Sequence, residues 1–441
     1  MIFKISIYDV LSFVEIRKML CFLRIKCITF SGRAQWRKKG NLARILPDMV
    51  HCLEREGGDF MRETGIYIHI PFCVQKCLYC DFPSFGGQEK EYERYTAALC
   101  REIEAKSHLA KDWKIKTVFF GGGTPTVLSA QQMKRILDTV FQCFNVEGDA
   151  EITTEANPGT LSLEKCVALR QMGFNRLSMG VQAWQGELLE RLGRIHTRQQ
   201  FLKNFASARE AGFDNINVDL MFALPEQTLG QWEETLSEIT ALQPEHISAY
   251  SLIIEEGTPF YDLYEKEVYQ ETDEELDRAM YHTAVQILAE EDYHQYEISN
   301  FAKDGKESRH NRIYWRDEGY LGFGLGAHSY WEGKRFHNPY DLHTYMEQAE
   351  NGNVSMEDVE ELSLADQYGE FMFMGLRLTE GIEKKRFAQR FGVDMEDVYG
   401  MEIEKCKEEG LLEEKAGWLR LTERGLDLSN QVFMEFLKED A

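Results

Sequence analysis

From Gly65 onward, short β-branched and aromatic runs alternate with longer amphipathic stretches. Residues 66–70, 117–120, 151–155, 176–181, 216–221 and 246–252 read as strands. Between them, residues 92–107, 129–144, 163–172 and 197–211 carry the helical period. Six βα units in succession predict parallel strands joined by right-handed crossovers. Six units are too few for a complete eight-stranded barrel, so the pattern predicts an α/β fold: an open, partial (β/α)6 barrel of TIM type. Its active site is expected at the carboxyl ends of the strands.

Beyond Thr258 the pattern changes. Acidic helices come first, then the Gly- and aromatic-rich stretch "HNRIYWRDEGYLGFGLGAHSYW" from His310 to Trp331. From Ser363 the period is helical, and "GWLRLTERG" (417–425) reads as a hairpin strand running into a last helix. Helices followed by a short β wing predict a mainly helical, winged-helix-like carboxyl-terminal domain. The expected division is a barrel over 61–300, a linker and candidate heme-binding segment over 301–362, and the helical domain over 363–441.

Composition narrows the function. The chain has 441 residues and a formal charge of −24, which disfavours partners rich in phosphate, so no nucleic acid is expected. No run of ~18 uncharged apolar residues marks a membrane span. Ten cysteines are too few for a disulfide scaffold at this length and read as reduced thiols of a cytoplasmic protein. Residues 1–60 stand apart, with a net charge of +5 against −29 for the rest. The residues before Met61, "EGGDF", back-translate to a purine-rich ribosome-binding site. The expectation is therefore a start at Met61 and a mis-annotated extension before it.

The densest chemistry is "GIYIHIPFCVQKCLYCDF", with Cys73, Cys77 and Cys80 just after the first strand. A structural zinc site wants four closed ligands, and no second cysteine pair accompanies these three. A redox pair (Cys77, Cys80) would not need Cys73. A [4Fe–4S] cluster with three thiolates fits better, because its fourth iron stays open to another ligand. Other polar groups recur at strand ends. "FFGGGTPT" (119–126) ends the second strand in glycines that let backbone approach a ligand. Glu155 in "TTEANP" suits a ribose or an amine, Gln182 ends the fourth strand, Arg194 suits a carboxylate, and Asp219 lies within the fifth strand.

CxxxCxxC after a first strand resembles the radical S-adenosylmethionine (SAM) superfamily. The resemblance spans Gly65 to the carboxyl terminus. It implies that the amino and carboxylate groups of SAM chelate the open iron. Within the superfamily the motif series resembles the oxygen-independent coproporphyrinogen III oxidase branch. That likeness implies Tyr67, Gly122 and Glu155 around the cluster-bound SAM, and Gly123, Thr124, Gln182, Arg194 and Asp219 around a second SAM position. The oxidase continues its motif to a fourth cysteine where this chain has Phe82. "CDFPSF" together with the 308–330 stretch instead resembles the paralogous HemW group of heme chaperones.

That likeness implies a protein that binds heme and hands it to an acceptor protein such as a respiratory enzyme, with a separate electron donor for the cluster. His310 in "HNRIYW" is the candidate axial ligand, with Tyr314 and Trp315 as flat walls and Arg309 and Arg312 for propionates. Two other readings stay open: an oxidase decarboxylating coproporphyrinogen III, and a radical SAM enzyme with an unrelated substrate.

Overall fold

In the computed structural model, residues 62–437 are described; the expected extension over 1–60, its start at Met61 and the last four residues lie outside them. Six parallel strands follow the predicted order: β1 (Arg62–Ile70), β2 (Trp113–Gly122), β3 (Asn145–Ala156), β4 (Arg176–Gln182), β5 (Ile216–Phe222) and β6 (His246–Ser251). The remaining strands of this sheet are β7 (His294–Glu297), β8 (Asn300–Ala302), β9 (Tyr320–Phe323), β10 (His328–Trp331), β11 (Lys334–His337) and β12 (Glu357–Glu361). The order across the sheet is β12-β11-β10-β9-β1-β2-β3-β4-β5-β6-β8-β7, open at both ends. A partial barrel was expected, and the sheet indeed does not close.

A seventh parallel strand extends that core. β9 pairs in parallel with β1, Gly65 opposite Tyr320 and Ile68 opposite Phe323. The Gly- and aromatic-rich stretch thus supplies sheet as well as loop. Beyond β9 and β6 the sheet continues antiparallel on either side.

Helix starts follow from short polar signals. Ser129, Thr197 and Thr228 each accept a hydrogen bond from the backbone N–H three residues on, and Gln132, Gln200 and Gln231 reach back to the cap's own N–H. These capping boxes satisfy donors that the first turn would otherwise leave bare. The helices cover the outer face of the sheet. Ile66, Ile68, Val118, Phe120, Leu177, Val218 and Ile247 pack there with Leu99, Ile103, Ile136, Val140, Leu236 and Ile239 in one core. Parallel strands covered on both faces usually read as continuous apolar runs. Here many of the alternate residues are polar or small, among them Ser178, Gly180, Gln182, Asn217 and Asp219, because the inner face lines a cavity.

Glu102 ties three segments together. Fully buried on helix Tyr92–Lys106, it accepts hydrogen bonds from Gly324 N (2.9 Å), Asn338 Nδ2 (2.7 Å) and Tyr345 Oη (2.7 Å), and pairs with Lys106 (2.9 Å). Glu102→Ala removes this acceptor from Gly324 N and Tyr345 Oη and leaves Asn338 and Lys106 only Gly324 O and Asn338 Oδ1; it is expected to cost about 3–5 kcal/mol, read as a lower urea midpoint. A midpoint within error of wild type would show that these partners find water instead.

The carboxyl-terminal residues form a second core around Phe371, Met372, Phe387, Tyr399, Leu419 and Phe433. Helices Leu364–Gly375, Met395–Glu408 and Ser429–Glu435 surround a three-stranded sheet of β13 (Ile382–Glu383), β14 (Leu412–Lys415) and β15 (Trp418–Leu421), with β15 central. Helices beside a small β wing match the winged-helix-like expectation. Ile313, Tyr314 and Trp315, on the short helix Arg309–Trp315, pack into this core. No described helix is long and apolar enough to cross a membrane.

Candidate functional site beneath the cysteine loop

The cysteine loop leaves β1 at Pro71 and is pinned on three sides. Phe72–Cys73 pairs in parallel with Phe85–Gly86. Gly123 N and Thr124 N donate to Ile70 O (2.8 Å) and Phe72 O (2.7 Å). Leu78 N donates to Leu192 O (3.1 Å), and Phe260 N to Leu78 O (2.9 Å). The glycines after β2 have a definite job here. A Cβ on Gly122, at φ +105°, would lie 2.4 Å from the His69 ring, and one on Gly123 would lie 2.7 Å from Phe72 O. Their bareness lets the end of β2 press against His69 and the root of the loop.

Cys73, Cys77 and Cys80 line one cavity of about 330 Å³. Tyr67, Gly122, Gly123, Glu155, Gln182, Arg194, Asp219 and His310 line it too. Thr124 stands just behind, its hydroxyl 3.5 Å from Cys73 Sγ, and accepts a bond from Asn157 Nδ2 (2.7 Å). Arg194 is clamped among Cys77 Sγ (3.4 Å), Asn157 Oδ1 (2.7 Å) and Gly180 O. The residue expected to meet a carboxylate thus also donates to one thiol, while its buried Nε has no partner among the described residues. Burial pushes the Cys80 thiol up to about 12 against the pull of Lys76, and raises Cys73 as well. Both thiols stay protonated until a metal displaces the proton.

Around the mouth, Glu155 Oε2 accepts from Gly122 N (3.2 Å). Gln182 holds a left-handed backbone at φ +70°, and its Oε1 accepts from Tyr250 Oη (3.0 Å). Asp219 accepts from Ser178 Oγ (2.9 Å) and Asn217 Nδ2 (2.7 Å), while burial raises its carboxyl above the ordinary range. Burial lowers His69 to about 4, so the ring is neutral. Its Nε2 faces the Pro83 carbonyl (3.0 Å) and must carry the proton, which leaves Nδ1 to accept from Tyr67 Oη (3.0 Å).

His310 sits at the far side of the cavity from the loop. Its backbone N–H and that of Arg309 donate to the two oxygens of Glu151 (3.1 and 3.0 Å). Nδ1 lies 2.7 Å from Thr117 Oγ1 and Nε2 lies 2.8 Å from Tyr314 Oη. The ring stacks on Phe119, which in turn stacks on Tyr67. Burial, helped by the charge of Arg176, lowers His310 to about 3. Both ring nitrogens are therefore engaged, and an iron atom would have to take one of them from its partner. Of the expected propionate groups, Arg312 pairs with Glu380 (2.8 Å) and Arg309 donates to Asp149 O (2.7 Å).

The sequence reading missed Asn157, Arg176, Ser178, Asn217 and Tyr250, all on the cavity wall. The available signal was the alternation in "RLSMGVQ", "NVDLM" and "HISAY", where every second residue points inward.

Residues 67–239 match the Radical SAM superfamily and residues 362–428 the HemN C-terminal domain. The heme chaperone HemW of Bacillus subtilis is 41% identical over 376 residues, covering 85% of this chain and 99% of that one. Its Escherichia coli counterpart is 36% identical, covering 85% and 98%. Among solved structures, coproporphyrinogen III oxidase (HemN) from Escherichia coli, a radical SAM enzyme, superposes with a TM-score of 0.75 at 23% identity. It covers 86% of this chain and 91% of that one. The likeness to that oxidase is one of fold.

Proposed function

Because the chain belongs to the HemW family of radical SAM proteins, we propose that it is a cytoplasmic heme chaperone. In this reading it binds heme and passes it to an acceptor protein, while carrying a [4Fe–4S] cluster with SAM on the open iron. The observation that carries the reading is one cavity lined both by the three cysteines and by His310.

The residues fit the cluster. Among the described residues no three His, Cys, Asp or Glu side chains converge as a single ion requires. A cubane asks something different, since each thiolate binds its own iron. Cys73, Cys77 and Cys80 would hold it, and the bound cluster supplies one electron for cleavage of a SAM C–S bond. Arg194 NH1 and Thr124 Oγ1 donate toward two of the sulfurs and offset their charge. Glu155 offers an acceptor to the cluster-bound SAM, while Gln182 and Arg194, whose Nε has no partner among the described residues, would stand around a second SAM position. Tyr67, fixed by His69, stacks on Phe119, which in turn stacks on His310, so this row of rings links the two ends of the cavity. Heme would enter the other half, with His310 as axial ligand.

The test is anaerobic: reconstituted protein, SAM, reductant and an electron donor, offered either heme or coproporphyrinogen III. Stoichiometric heme uptake, delivery to an apo heme protein and no protoporphyrinogen are expected. Protoporphyrinogen formation would replace the chaperone reading with the oxidase one.

A further inference from the structure

Arg176 opens β4, six residues before Gln182, so roughly 20 Å separates the two along the strand at ~3.3 Å per residue. It is 2% exposed, lines the cavity, and its Nε has no hydrogen-bond partner among the described residues. A buried guanidinium is normally held by a carboxylate, because a buried charge left unpaired is strongly destabilising.

Here the nearby acids already accept hydrogen bonds from other groups. Asp219 accepts from Ser178 Oγ and Asn217 Nδ2. Glu151 caps the two backbone N–H groups of Arg309 and His310. Glu297 accepts from Ser299 N (3.0 Å) and Asn300 Nδ2, with Arg377 NH2 at 3.4 Å. Arg176 is thus a fixed cation beside His310, facing an internal space with its donors unspent.

We infer that Arg176 is the anchor for a carboxylate of the ligand that fills this half of the cavity, namely a propionate of the tetrapyrrole. The inference rests on the heme reading above. Arg176 suits that role better than Arg309 or Arg312, which do not line the cavity and are engaged with Asp149 and Glu380. Its distance from the strand ends separates it from the carboxylate of a SAM bound at the cluster. A planar fork with free N–H groups can take a carboxylate in two parallel bonds, as a lysine cannot.

The test compares heme with heme dimethyl ester, whose propionates are blocked, by anaerobic Soret titration of the cluster-loaded protein. Wild type is expected to bind the ester about tenfold to a hundredfold more weakly than heme, the loss of a charged hydrogen-bonded pair. R176M should weaken heme by the same factor and leave the ester unchanged, with R176K between. SAM affinity and cluster absorption should not move. The wild-type ester comparison needs no variant, so a poorly folded R176M cannot shield the proposal. Equal binding of heme and ester overturns it, as does an R176M defect that appears in SAM affinity instead. If wild type takes up neither tetrapyrrole, the heme reading itself falls. If it takes up heme and R176M matches it, only the anchor falls.

Discussion

Replacing Cys73, Cys77 or Cys80 singly by alanine should abolish the broad iron–sulfur absorption near ~400 nm after anaerobic reconstitution. Cys100→Ala and Cys166→Ala should leave it intact. The contrast follows from position. The three loop cysteines face one cavity, with Arg194 and Thr124 donating toward two of the sulfurs. Cys100 and Cys166 are buried on helices Tyr92–Lys106 and Leu163–Met172, packed in the outer core. Removing either sulfur trims core packing by about 1 kcal/mol and touches no ligand. A three-thiolate cubane has no spare ligand, so loss of one should be close to complete rather than graded. Retained absorption in any of the three, or its loss in Cys100→Ala or Cys166→Ala, would show that the ligand set is misassigned.

The six predicted strands and four predicted helices were legible because each has its own periodicity. Ser129 and Thr197, the first residues of two of the predicted helical stretches, stand as N-caps. β9 was not legible, because its glycines look like a turn in isolation. Gly322 is bare since a Cβ there would lie 2.1 Å from His328 O, and Gly324, at φ +104°, faces His69 O at 2.5 Å. The second of these contacts joins segments distant in sequence and is invisible to any window. The site divides the same way. Cysteine spacing announces a cluster, since here all three candidate ligands fall within eight residues. The glycines after β2 were read as room for a ligand, and in the fold they first make room for His69 and Phe72. Arg176 looked like any charge at a strand start. Only the neighbours' hydrogen bonds reveal that it is buried and unpaired.

His310→Ala should eliminate the stoichiometric heme Soret band, whereas Tyr314→Phe should strengthen heme binding. The ring is buried and neutral, so it offers one N–H and one lone pair. Nδ1 faces Thr117, and Nε2 faces Tyr314, which lines the cavity. Iron arriving through the cavity therefore meets Nε2, while Nδ1–H donates to the Thr117 hydroxyl and fixes the tautomer and ring plane. The Tyr314 hydroxyl competes with the metal for Nε2. Phenylalanine keeps the T-shaped packing between residue 314 and Tyr320 and removes only that competitor. A net hydrogen bond of about 1 kcal/mol corresponds to roughly fivefold tighter heme in Tyr314→Phe. The pair of variants separates ligation from packing. A residue that only shapes the wall would give partial losses in both, and a heme band surviving His310→Ala would move the axial ligand elsewhere. Opposite signs from two neighbours 2.8 Å apart are what a metal–nitrogen bond at Nε2 requires.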